Sequence, residues 1–251
     1  MTTTTPTDVR DVPPLGHAEA ARLQLEEHTR FLDVLRELAP DDWDRTVGDC
    51  PAWTVRDMAT HVLATLEASA SIRENLHQLR RARRRSEPLA DAISAVQVGD
   101  RAALAPAEVL ARLDAAIPKG VAARRRLPAP IRHGVRTKVP MPWGTERWRL
   151  GYLLDTIYLR DVWMHRIDLS RTVGRPLRLT PEHDGRIVAD VVAEWARRHG
   201  QPFHLVAGGP AGGAYVQGTG GDDLTVDAVD LCRTLSGREP GSGLLTTEVP
   251  F

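Results

Sequence analysis

Three side chains able to do metal or acid–base chemistry sit close together in L-G-Y-L-L-D-T-I-Y-L-R-D-V-W-M-H-R-I-D-L-S-R-T, residues 150–172. Asp161, His165 and Asp168 are four and three apart, which places them on one helical face, the first two roughly 6 Å apart along the axis. At the same period Leu150, Leu153, Leu154, Ile157, Met164 and Thr172 mark that face as the inward one. A carboxylate and an imidazole where leucines should pack need a partner, because an unpaired buried charge is costly. A metal ion is one such partner; a buried Asp–His hydrogen bond or an arginine is another.

A second histidine falls on another inward face. The run T-V-R-D opens a helix with Thr54 as cap and Asp57 three residues on, a capping-box pattern. Val55, Met58, Val62, Leu66 and Ser69 then face inward, and His61 lies on the core side of the second turn. His61 with Asp161 and His165 makes three protein donors with open positions, the build of a catalytic rather than a structural zinc site. The same two-His-one-carboxylate set suits Fe(II). A single helical histidine more often serves structure. His28 is read that way, as a hydrogen-bonded core or cleft residue in the stripe Ala21, Leu25, Leu32, Leu35, Ala39.

The elements that must hold these donors read as a four-helix bundle. Helices are expected over residues 17–39, from Thr54 to about Arg85, over 106–127 (with Pro118 expected to kink or break it), and over 150–172. Residues 41–53 read as a loop. So do residues 128–148, where Pro128, Pro130, Pro140, Pro142 and Gly144 suggest a long connection covering a site. Beyond Gly174 the pattern changes to a helix capped by Thr180 with Pro181 at its first position, strands at 203–207, 214–217 and 224–226, and a short helix capped by Asp227. The expected fold class is α+β and mainly α. Residues 1–16 form a disordered tail, 17–175 a metal-binding bundle, and 176–251 a small α/β domain.

Charge and composition narrow the function classes. Thirty-three basic and 33 acidic residues cancel, so no global field recruits nucleic acid or an anionic membrane. The arginine run at 80–85 lacks the aromatics that stack bases and reads as a solvated helix end; with 124–126 it is the only nucleic-acid candidate, and no such partner is expected. No apolar run reaches the roughly 20 residues that span a bilayer. Cys50 and Cys232 are too few for a disulfide framework, which fits a cytoplasmic protein, and neither reads as a nucleophile.

Three motifs carry a resemblance: C-P-A-W-T-V-R-D-M-A-T-H at 50–61, R-D-V-W-M-H-R-I-D-L at 160–169, and L-S-G-R followed by G-L-L-T-T-E-V-P-F at the C-terminal end. In this order they resemble the mycothiol-dependent maleylpyruvate isomerase family, part of the DinB-like four-helix bundle metalloproteins. The resemblance implies a divalent metal on His61, Asp161 and His165, zinc first, with nickel, iron or cobalt as alternatives. Where the family uses a glutamate, this chain has Asp161, one methylene shorter, so either the helices sit closer or a water intervenes. It further implies mycothiol or a similar thiol as cosubstrate, and isomerisation of, or S-transfer to, a small electrophile. Arg233 or Arg238 would bind a substrate carboxylate, and Asp168 would orient a ligand imidazole or accept from Arg166 or Arg171, the alternative being a surface or inter-helix salt bridge. The alternative is a non-catalytic metal- or ligand-binding protein of the same fold.

Overall fold

The computed structural model describes residues 5–251. It divides into two units, residues 16–176 and a second made of residues 177–251 together with the segment ending at Leu15. That segment departs from the expected disordered tail. Thr7–Asp8 form strand β1, with Thr7 opposite Tyr215, and a 3-10 turn over Val9–Asp11 buries Val9. Two ladder residues leave no periodicity to read locally. The first part of the expected tail, residues 1–4, lies outside the described residues.

In the helical unit, α1 spans His17–Arg36. Its inward face is rotated from the expected stripe: Leu25 is 45% exposed, and Leu23, Gln24, Glu27, His28, Phe31 and Leu35 are buried. Gln24, Glu27 and His28 disguise that face, and Glu27 is held there by Arg166, whose Nε donates to Oε1 at 2.5 Å. A 3-10 turn at Pro40–Asp44 leads into a hairpin of β2 (Thr46–Val47) and β3 (Cys50–Thr54), where a loop was expected.

Helix α2 (Val55–Ala70) starts on the capping box. Thr54 Oγ1 accepts from the Asp57 N–H at 3.2 Å, and Asp57 Oδ2 accepts from the Thr54 N–H at 2.9 Å. The helix does not run on to Arg85. Ser71 adopts an extended conformation, ends α2, and caps α3 (Ile72–Ala82) through its hydroxyl at 3.3 Å from the Glu74 N–H. An unanticipated α4 (Leu89–Gly99) follows.

Helix α5 (Pro106–Arg125) is continuous through Pro118, which lies on its exposed side, so the expected break is absent. Packing of α5 along α1 and α2 outweighs the missing N–H. The expected loop at 128–148 is instead a short α6 (Ala129–Gly134) and an antiparallel hairpin of β4 (Arg136–Met141) and β5 (Gly144–Arg149). A two-stranded ribbon consists of edges, so it tolerates Pro140. The last helical stretch begins as α7 (Leu150–Tyr152), passes through a π turn at Leu153–Ile157, and continues as α8 (Tyr158–Val173), closed by Gly174 in the left-handed region (φ 68°).

The bundle comprises α1, α2, α5 and α8, with α1 and α2 each packed on α5 and α8. Its core interleaves Phe31, Leu35, Met58, Leu63, Leu66, Leu113, Ile117, Val162 and Leu169. Among the described residues no helix is long and apolar enough to cross a membrane.

In the other unit a π turn at Pro181–Gly185 opens α9 (Arg186–His199). The Thr180 side chain does not cap it; instead the Thr180 N–H donates to Asp184 Oδ2 at 2.7 Å. The sheet has the order β1-β7-β6-β8, from β6 (Phe203–Gly208), β7 (Gly213–Gln217) and β8 (Asp222–Asp227). Strand β6 is antiparallel to β7 and parallel to β8. Asp227 caps α10 (Ala228–Leu235), accepting from the Val229 N–H at 2.8 Å. The C-terminal segment is tied down by Trp195 Nε1 donating to the Leu244 carbonyl and the Val249 N–H to that of Leu235.

Candidate metal centre

His61 lies on the second turn of α2, and Asp161 and His165 one turn apart on α8. The fold brings the three together. His61 Nε2 is 3.6 Å from Asp161 Oδ2, and His165 Nε2 is 3.2 Å from Asp161 Oδ1. The two imidazoles meet edge to face, with ring centroids 5.4 Å apart. Both histidines are nearly buried, at 9% and 6% exposure. Among the described residues, His61 Nδ1 and both ring nitrogens of His165 are buried without an aligned hydrogen bond.

The donor set fits a divalent cation. Two imidazole nitrogens and a carboxylate oxygen are the donor types that bind zinc with a position left open. One donor atom from each of the three residues lies within 4.8 Å of the others. The shorter aspartate lies beside both imidazoles, one oxygen facing each.

The charges of the group are coupled. Burial would raise the Asp161 carboxyl, but the charge on His165 and the contacts of His165 and His61 outweigh it and hold the carboxyl well below its usual range. Burial would likewise lower the His165 imidazolium; Asp161, with a further contribution from Asp168, raises it to about 9.

Asp168 is fully buried, with Oδ2 3.8 Å from His165 Nδ1, on the side of the ring away from Asp161. Arg233 and Arg238 belong to the other unit. There Arg233 is buried and donates through Nη2 to Glu239 Oε1 at 2.7 Å, and Arg238 Nη1 donates to Ser236 Oγ at 3.2 Å. His28 is buried outside the triad, its Nδ1 2.6 Å from the Gln24 carbonyl.

Residues 25–170 match the family described as mycothiol maleylpyruvate isomerase N-terminal domain. The chain belongs to that family. Two solved structures are similar in fold: crystal structures of the mycothiol-dependent maleylpyruvate isomerase and of a histidine-to-alanine mutant of it. Each has a TM-score of 0.56 at 16% identity, covering 93% of this chain and 92% of the other. At that identity the likeness carries the fold, not the activity. No curated protein sequence matches this one.

Around the triad stand residues that motif spacing did not single out. The Trp53 ring lies against both imidazoles, 4.9 Å from His61 and 5.9 Å from His165 between centroids. Its position just ahead of the α2 cap was a usable signal, since the cap aims β3 at the same end of the helix. Cys50, on β3, brings its sulfur within 4.8 Å of donors on His165 and Asp168. Only the hairpin pairing places it there.

Proposed function

We propose that this chain is a divalent-metal-dependent enzyme that uses a low-molecular-weight thiol, mycothiol or a close relative, to isomerise or S-conjugate a small electrophilic substrate. One observation carries the reading: two helices converge an imidazole each on the two oxygens of one carboxylate, with buried ring nitrogens left without aligned partners. Family membership supports the choice of a thiol and of isomerase chemistry.

His61, Asp161 and His165 would hold the ion, and Asp161 would offset part of its charge. When bound, the cation supplies Lewis acidity, keeping a thiol ionised at neutral pH and leaving a coordination position for it. Asp168 accepts the Nδ1 proton of His165 in this reading, directing the Nε2 lone pair at the triad. Trp53 covers one side of the imidazoles and excludes water there. Addition of the thiolate to an electron-poor alkene would give an enolate. Rotation and expulsion of the thiolate would complete an isomerisation, whereas return of the proton lost by the thiol to the enolate carbon would leave the thioether of S-transfer.

Cobalt-substituted protein tests this directly. Millimolar mycothiol or cysteine is expected to change its visible spectrum, and His61→Ala and His165→Ala each to lose stoichiometric metal with helix content kept. Full metal occupancy in both variants rules out the site. Cobalt uptake with a spectrum indifferent to thiol points instead to the non-catalytic binding protein.

A further inference from the structure

Arg124, on α5, is 5% exposed and has no carboxylate within 4.0 Å among the described residues. Its guanidinium is held by neutral groups only. Nε donates to Ser69 Oγ at 2.9 Å and Nη1 to Gln24 Oε1 at 2.9 Å, while Nη2 makes only a 3.5 Å contact with the Thr65 carbonyl. Gln24 is itself oriented, its Nε2 donating to the Leu154 carbonyl at 2.5 Å, so its amide oxygen is turned to the arginine. The Tyr158 ring lies against the guanidinium, 4.5 Å from Cζ to centroid. The Tyr158 hydroxyl has no hydrogen-bond partner among the described residues. A buried cation usually has a counter-ion, because neutral dipoles replace only part of its lost hydration. Consistent with that deficit, burial pulls the Arg124 pKa down to about 10, although Tyr158, Asp161 and Asp155 act to raise it.

Arg124 and Tyr158 both line a cavity of ≈ 360 Å³ inside the helical unit. Thr65 and Ser69 of α2 complete its polar end. Ile72, Leu76, Ile93, Leu127 and Leu154 give it apolar walls. Ile72 is 82% exposed and Leu76 40%, so the apolar end opens to solvent. Thr65 is one turn beyond His61 on α2, and its hydroxyl donates to the His61 carbonyl at 3.1 Å. Tyr158 is one turn before Asp161 on α8. The polar end therefore abuts the two helices that carry the triad.

We propose that this cavity is a carboxylate subsite in which Arg124 and Tyr158 hold the head of a small organic acid while its apolar part lies among Ile72, Leu76 and Leu127. A carboxylate supplies the missing negative charge and accepts from Nη2 and from the phenol, both with donor capacity to spare. The proposal deepens the function proposed above by naming the substrate class, an amphiphilic monocarboxylate, and rests on that reading for the reaction but not for the binding.

Hexanoate is the probe, with hexan-1-ol as its neutral counterpart, titrated by calorimetry into the full chain. One hexanoate per chain is expected, bound at least tenfold tighter than hexan-1-ol. Arg124→Gln should weaken hexanoate about tenfold or more, the scale of a lost charge-assisted hydrogen-bond pair. Ile72→Glu, at a position too exposed to threaten the fold, should weaken it severalfold by repulsion. His61→Ala should leave it unchanged, because the subsite needs no metal. Absence of stoichiometric binding, equal affinity for the alcohol, or indifference to Ile72→Glu overturns the proposal. Loss of binding in His61→Ala overturns it too, by placing the carboxylate at the triad. Failed cobalt uptake with hexanoate binding intact sinks the metal reading alone.

Discussion

Asp161 Oδ1 and His165 Nε2 are 3.2 Å apart, one turn along the same helix, and each sets the proton affinity of the other. In metal-free protein His165 should titrate at about 9. In Asp161→Asn, where burial acts with its main opponent removed, it should fall toward or below 6.5, read by NMR of the ring. The sign for stability follows from a raised folded-state pKa. The contribution of His165 is fully present below 6.5 and lost as pH rises through about 9; that of Asp161, whose carboxyl is lowered, is lost only in acid. An unshifted His165 in the asparagine variant would mean that the two groups are not coupled.

Proton and cation compete for the same nitrogen. Cobalt uptake at pH 7 should release close to one proton, and apparent affinity should rise about tenfold per pH unit until His165 is neutral. Calorimetry in buffers of different ionisation enthalpy measures the proton count. A count near zero would place the ion elsewhere.

His28 titrates in the opposite sense. Burial, then the charge of Arg124, lowers it to about 4 despite its hydrogen bond to the Gln24 carbonyl. Its folded-state pKa is depressed below 6.5, so its contribution is full above 6.5 and lost as pH falls toward 4. The loss is about 3 kcal/mol at 1.36 kcal/mol per pKa unit. Urea unfolding at pH 7 and pH 4.5 should show that slope in the wild type and a shallower one in His28→Gln.

Gly120 lets α5 approach α2. A Cβ there would lie 2.9 Å from both Leu66 Cδ2 and the Leu66 carbonyl oxygen. Alanine improves helix propensity by about 1 kcal/mol, but the clash with backbone costs about 1–3 kcal/mol. A net loss of up to about 2 kcal/mol is expected for Gly120→Ala in urea unfolding. Because α2 carries His61, cobalt affinity should fall as well.

The sequence alone determined what depends on a few neighbouring residues. The Thr54–Asp57 capping box, the Asp227 cap, the Asp161–His165–Asp168 face and the helix-two position of His61 are all set by local hydrogen bonding and helical period. Tertiary structure alone decided what depends on partners distant in the chain. Thr7 pairs with Tyr215 across some two hundred residues, and the two hairpins sit in stretches whose prolines and glycines read locally as loop. Glu27 is inward because Arg166 waits there, which is why the apolar stripe of α1 was misplaced. The helix at Pro118 survives because α1 and α2 pack along it. Arg124 reads in sequence as one of three successive arginines, and only the burial of its guanidinium among neutral partners sets it apart. Local periodicity fixes which way a side chain points, but long-range packing fixes what it meets.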